Sequence, residues 1–167
     1  PMNYKEMTLP EQACLRANLA KTTGTAQFVS DLHLPGMLEG VILRAPVARC
    51  RIKKMDTSSA REMDGVCAIV TGADIRGAKR IGKTVLDQDF LCETETYGIY
   101  DAIALIAADT KEHAKKAAQA IQLDYEELPA VFTLEEAMKP DAVLARPDIR
   151  PDSNLLCAYH FSKGEAD

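Results

Sequence analysis

The stretch AIALIAADTKEHAKKAAQAIQLDYEEL, residues 102–128, constrains the fold of this chain more than any other. Ala102–Ala108 is an unbroken apolar run of strand length, and the polar segment after it changes to helical spacing. Ala114, Ala117, Ala118 and Ile121 stand at i, i+3, i+4 and i+7, a face of small side chains that lets a helix sit close on a sheet. Asp109 and Glu112 have the spacing of a capping box at the start of that helix, and Glu112 can pair with Lys116 on its outer side. IQLDYEEL then alternates as a strand and stops at Pro129, which completes a predicted strand-helix-strand unit. Glu126 and Glu127 are adjacent in that strand, so they point to opposite faces and do not form an acid-base pair.

The flanking segments read as shorter elements. Met37–Ala45 follows the turn dipeptide Pro35-Gly36 and reads as a strand, as does the alternating run ARCRIKKM that ends at Met55. Ser59 and Glu62 have capping-box spacing for a short helix over SSAREM, and Val66–Thr71 is a compact buried-strand pattern closed by Gly72. Thr133 and Glu136 cap another short helix, TLEEAM, and Pro140, Pro147 and Pro151 mark an extended segment up to Asn154. The first 22 residues lack sustained periodicity and read as an arm. The division expected is an arm over 1–22, a domain over 23–140 and an extended linker over 141–167; with 47% hydrophobic residues in 167, the chain can bury one ordinary core. Because it opens on Pro1 and closes inside LLCAYHFSKGEAD, a strand-like run left unfinished, it is expected to be a piece of a longer protein.

Charge and composition exclude several classes. A net charge of -5, with no basic stripe, argues against a nucleic-acid partner, since phosphate backbones select basic surfaces. No run approaches the roughly 18 apolar residues of a membrane span and no charged-then-apolar leader opens the chain, so the expected compartment is the cytoplasm. Cys14, Cys50, Cys67, Cys92 and Cys157 are scattered and odd in number, which suits reduced thiols; Cys67 and Cys157, in VCAIV and LLCAY, read as small buried hydrophobes. His33, His113 and His160 show no ligand spacing, and Ser30, Asp31 and His33 are too close in sequence for a triad, so Asp31 reads as a turn residue.

One motif demands a separate test. GAKRIGKT, Gly77–Thr84, matches the phosphate-loop pattern G-x-x-x-x-G-K-[ST] at every specified position. That pattern works only where a buried strand runs into the first glycine and a helix begins near the lysine. Here the strand ends at Gly72, five residues early, and VLDQDFLCETE after it carries four acids and no apolar stripe. The stretch therefore reads as a flexible basic loop, with a small nucleotide-binding protein or a stand-alone protein-interaction module as alternatives.

Longer collinear blocks point elsewhere. TGTAQFVSD (Thr23–Asp31), PGML (Pro35–Leu38), LRAP (Leu43–Pro46), Asp56, GVCAIVTGADI (Gly65–Ile75) and YDAIALIAADTKEHAKKAAQAIQLDYEELPAVFTLEEAM together resemble the opening of the large, molybdenum-binding subunit of the xanthine dehydrogenase and aldehyde oxidase family, across about Arg16 to Met138. The resemblance implies an α+β fold, the α/β hammerhead domain, with a mixed sheet and a few packed helices. It also implies a parent enzyme that hydroxylates a purine, another N-heterocycle or an aldehyde with water as oxygen source. Electrons would pass to [2Fe-2S] clusters and FAD on partner domains or subunits, and molybdopterin would be held by a following domain of the same chain. The family's catalytic glutamate and pterin contacts lie downstream, so no catalytic, cofactor or metal residue is expected within this chain. Two positions depart from the family pattern: Val47-Ala48-Arg49 stands for His-Ala-His, and Tyr100-Asp101-Ala102 for Gly-[EQ]-Pro, where Asp101 keeps an acidic group. The resemblance also puts GAKRIGKT in a variable loop that approaches the substrate channel, with Val85 and Leu86 as channel-lining candidates and Lys79, Arg80 and Lys83 facing solvent or an acidic partner; the plainer expectation is a disordered loop.

Overall fold

The computed structural model describes residues 8–164. They fall into two compact units divided between Met37 and Leu38. The first holds helix α1, Leu9–Thr22, and a 3-10 turn over Val29–Asp31. No periodicity announces α1, because its apolar residues do not gather on one face. Its ends supply the signal instead: Thr8 N donates to Glu11 Oε2 at 2.7 Å and a proline stands in the first turn, while Thr23 Oγ1 donates to the Leu19 carbonyl at 2.8 Å. Asp31 does serve a turn, accepting from Phe28 N at 2.9 Å.

The second unit contains strands β1 (Glu39–Arg44) and β2 (Cys50–Asp56), helix α2 (Ser58–Arg61) and strands β3 (Val66–Thr71), β4 (Arg80–Ile81), β5 (Gln88–Asp89), β6 (Glu95–Thr96) and β7 (Ala102–Ala108). Helix α3 (Lys111–Ala120), strand β8 (Gln122–Glu127) and helix α4 (Leu134–Ala137) follow. The strands form sheets in the orders β1-β7-β3, β6-β2-β8 and β4-β5, and each pairing is antiparallel. This is the α+β class with a few packed helices that the resemblance implies, its sheets built of antiparallel pairs. The strand-helix-strand unit is present, but β8 does not return to the sheet of β7: it pairs with β2, so α3 links two sheets.

The core lies between α3 and the first sheet. Ala104, Ile106 and Ala108 of β7 meet Ala114 and Ala117 of α3, with Ile69 and Ile121 closing the cluster. Ile106 is fully buried, worth roughly 2–3 kcal/mol of transfer free energy relative to exposure. Glu112 and Lys116 pair at 2.8 Å on the solvent side of α3. Three local expectations shift. The cap of α3 is Thr110, whose hydroxyl accepts from His113 N at 3.2 Å, because Asp109 is engaged with the His113 ring at 2.6 Å. The cap position of α2 is Thr57, not Ser59, and Asp56 Oδ1 accepts from Ser58 N at 2.9 Å. Cys67 and Cys157 are exposed, not buried: Cys67 sits at a register shift between Val66 and Ala68 in the β3–β7 ladder, and residues 155–163 form no strand.

After α4, capped by Thr133 as its spacing predicts, the chain doubles back. Asn154 fastens it: Nδ2 donates to the Ala137 and Val143 carbonyls at 3.0 Å each, and Oδ1 accepts from Ala145 N at 2.7 Å. Among the described residues, no helix is long and apolar enough to cross a membrane.

Candidate functional site

GAKRIGKT lies in a β-hairpin. Arg80 stands opposite Asp89 and Ile81 opposite Gln88, and Phe90 N donates to the Lys79 carbonyl at 3.0 Å. No helix starts at Lys83, so the amides that would cradle a phosphate at a helix N-terminus are not arranged there, and the nucleotide-binding alternative loses its structural basis. The glycine of the motif has another use. A Cβ on Gly82 would lie 1.6 Å from the Val85 carbonyl oxygen, so the tip closes only around a hydrogen at this position. Val85 is half-buried at the tip and Leu86 is 63% exposed.

Two of the three basic residues expected to face outward, Lys79 and Arg80, pair with acidic side chains of this chain, and Lys83 is exposed. Lys79 Nζ lies 2.5 Å from Glu93. Arg80 bridges Asp89 at 2.8 Å and Asp148 at 3.0 Å. Arg146 meets both carboxylate oxygens of Asp148 at 3.0 Å, donates to the Asp87 carbonyl, and lies 4.1 Å from the centre of the Tyr97 ring. The hydrogen bonds from Arg146, with the nearby Arg146 and Arg80 charges, hold the Asp148 carboxyl down to about 2. Burial, followed by the charges of Asp148 and Glu95, pushes the Tyr97 phenol up.

Both departures from the family pattern lie beside this network. Arg49 pairs with Glu95 at 2.6 Å, donates to the Leu144 carbonyl at 2.8 Å and approaches the same Tyr97 ring at 5.4 Å. Asp101 accepts from Tyr97 N at 2.6 Å and Gly98 N at 3.0 Å, closing by side-chain hydrogen bonds a turn that glycine and proline would otherwise shape.

A second feature is apolar. Ile42, Leu105 and Val70 are directly opposite one another across β1, β7 and β3, on the face turned away from α3. Ile42 and Leu105 remain 42% and 39% exposed, and with Phe90 they line a shallow groove of about 420 Å³.

The described residues show no cluster of side chains suited to holding a metal ion directly. No three His, Cys, Asp or Glu converge among them, Cys50 is buried against Thr96 at 3.2 Å, and burial pushes the Cys92 thiol up to about 12, which disfavours a thiolate ligand. His113 serves Asp109, and a Cβ on Gly65 would come within 2.2 Å of its ring nitrogen. Sequence reasoning missed Tyr97, Arg146, Asp148 and Asn154. Arg146 and Asp148 are neighbours, but the Asp87 carbonyl and the Arg80 guanidinium that they hold lie far back in the chain, and no spacing rule pairs residues across such loops.

Comparison with known proteins agrees with this architecture. Residues 23–129 match the family model for aldehyde oxidase and xanthine dehydrogenase, a/b hammerhead domain. The chain is 37% identical over 147 residues to a probable xanthine dehydrogenase subunit of Bacillus subtilis, covering 88% of this chain and 19% of that relative. It is 36% identical to the nicotinate dehydrogenase large molybdopterin subunit of Eubacterium barkeri, covering 90% of this chain and 34% of that one. Among solved structures, aldehyde oxidoreductase from Desulfovibrio gigas superposes with a TM-score of 0.72 at 33% identity, over 77% of this chain and 16% of its own.

Proposed function

Because the chain belongs to the aldehyde oxidase and xanthine dehydrogenase family through its a/b hammerhead domain, we propose that it is the non-catalytic hammerhead portion of a molybdenum hydroxylase large subunit. The observation that carries this reading is the family match across residues 23–129, in a chain that spans only 19% of its Bacillus subtilis relative. On this reading the whole protein hydroxylates an aldehyde or an N-heterocycle, with water as oxygen source. Molybdopterin supplies the redox chemistry from a following domain, and electrons leave through [2Fe-2S] clusters and FAD on partner domains or subunits, in the cytoplasm. The groove of Ile42, Leu105 and Phe90 docks on the molybdopterin-binding domain of the same chain, and the Val85–Leu86 tip borders its substrate channel.

The first test is to purify the full-length protein from its own cells with its tightly bound subunits, and to measure molybdenum by elemental mass spectrometry alongside pterin release. Near-stoichiometric molybdenum with pterin is expected. Neither one, from a host that makes the cofactor, would overturn the reading. Replacing Val85 and Leu86 with alanine in the loaded enzyme tests the channel separately: substrate KM shifts if the tip borders the channel, and an unchanged KM removes it from that role.

A further inference from the structure

The β4–β5 hairpin is too small to hold itself. Each strand has two residues, neither strand contributes a buried side chain, and a two-stranded ribbon of this size has no independent stability in water. Its position must be set from outside. Beside the Lys79–Glu93 pair at its base, two side chains 59 or more positions downstream of Asp87 reach it: Arg146, which donates to the Asp87 carbonyl in the hairpin, and Asp148, which takes the Arg80 guanidinium at 3.0 Å.

We propose that Arg146 and Asp148 are positioning residues for the β4–β5 hairpin, and that their clamp fixes where the Val85–Leu86 tip stands. Its bearing on substrate rests on the channel reading above. The clamp itself rests on geometry. Asp148 is gripped by the fork of Arg146 through both its oxygens, an arrangement with more directional strength than a single point contact. Arg146 lies over Tyr97, and the Tyr97 backbone is tied by Asp101 to the turn that enters β7. Support therefore runs from the buried strand β7 through Tyr97 and Arg146 to the hairpin. The side chains of Arg146, Asp148 and Asp89 are only 23%, 26% and 18% exposed, so these pairs are screened less than open surface pairs.

The test uses the full-length protein with its bound subunits and follows amide hydrogen exchange in peptides covering residues 79–90 and 102–108. Arg146→Met removes the fork, and Asp148→Asn removes the charge at nearly constant volume, which carries the test if the first variant fails to fold. Exchange over 79–90 is expected to accelerate about tenfold in both, with 102–108 unchanged, because the opening is local. Arg146→Lys, which keeps the charge without the planar fork, is expected to restore only part of the protection. Unchanged exchange over 79–90 in folded Arg146→Met and Asp148→Asn overturns the clamp, whatever the kinetics do. KM is then measured for xanthine, nicotinate and benzaldehyde, using whichever are turned over, and is expected to rise about threefold in the same variants with kcat less affected. Loosened exchange with an unmoved KM keeps the clamp and removes the tip from the channel.

Discussion

The sheet β1-β7-β3 under α3 and the hairpin β4–β5 are held by different forces. The first is sealed by aliphatic side chains: Ile106, Ala104 and Ala108 are fully buried against the alanines of α3, and strand and helix are consecutive in the chain. The second buries almost nothing of its own and is fastened by guanidinium and carboxylate groups from residues 146–148. Apolar burial is non-directional and tolerates rearrangement, whereas forked ion pairs specify a geometry at little gain in global stability. A domain built this way keeps a firm scaffold and presents a separately adjustable loop.

The largest expected effect is in the scaffold. Ile106→Ala should cost about 3 kcal/mol, from lost transfer energy and the cavity left beside α3. Urea unfolding followed by circular dichroism reads this directly, and a cost below that of the loop variants would break the division of labour between the two regions. Gly65→Ala comes next, at about 1–2 kcal/mol. Gly65 has φ +78°, and a Cβ there would also displace the His113–Asp109 pair. The two side chains can rotate away, so the backbone strain is the part that remains.

The same contrast explains what could be read from the sequence. Ala102–Ala108 and the alanine face of α3 are legible because a helix and a strand advertise burial through spacing. The caps slipped by one or two residues, to Thr110 and Thr57, because several Ser, Thr and Asp compete at each start and tertiary contacts choose among them. The hairpin was hidden behind a phosphate-loop pattern. Gly82 satisfies that pattern but is required by the tight approach of the Val85 carbonyl, and Arg80 satisfies its tolerated positions while serving Asp148. Pairing Arg80 with Asp148, or Arg49 with Glu95, depends on how loops return in space.

A smaller effect sharpens the electrostatic side of the comparison. The folded-state pKa of Asp148 lies at about 2, below the ordinary 3.8, so the carboxylate contributes stability that is full above about pH 4 and is lost as pH falls through about 2. After solvent screening this contribution is about 1 kcal/mol, felt at the hairpin. Pepsin cleavage near Leu86 should therefore rise between pH 4 and 2 in the wild-type protein relative to Asp148→Asn, in which the tip is loose throughout. Parallel profiles for the two proteins would show that the carboxylate does not hold the tip.

The smallest expected effect separates ion pairs that position from ion pairs that only decorate. Glu112 and Lys116 are 2.8 Å apart, close to the Arg80–Asp89 distance of 2.8 Å, yet their side chains are 75% and 57% exposed on one turn of α3. They join residues that the helix already brings together, so breaking them frees no segment. Glu112→Gln should move the thermal midpoint less than any variant above, and the difference should vanish at about 1 M salt, where the Debye length is about 3 Å. Asp148→Asn should still change exchange over residues 79–90 at that ionic strength, because the partly buried fork of Arg146 is sheltered from the salt. If both differences disappear together, the hairpin contacts are ordinary surface pairs and distance alone says little about which of them fix structure.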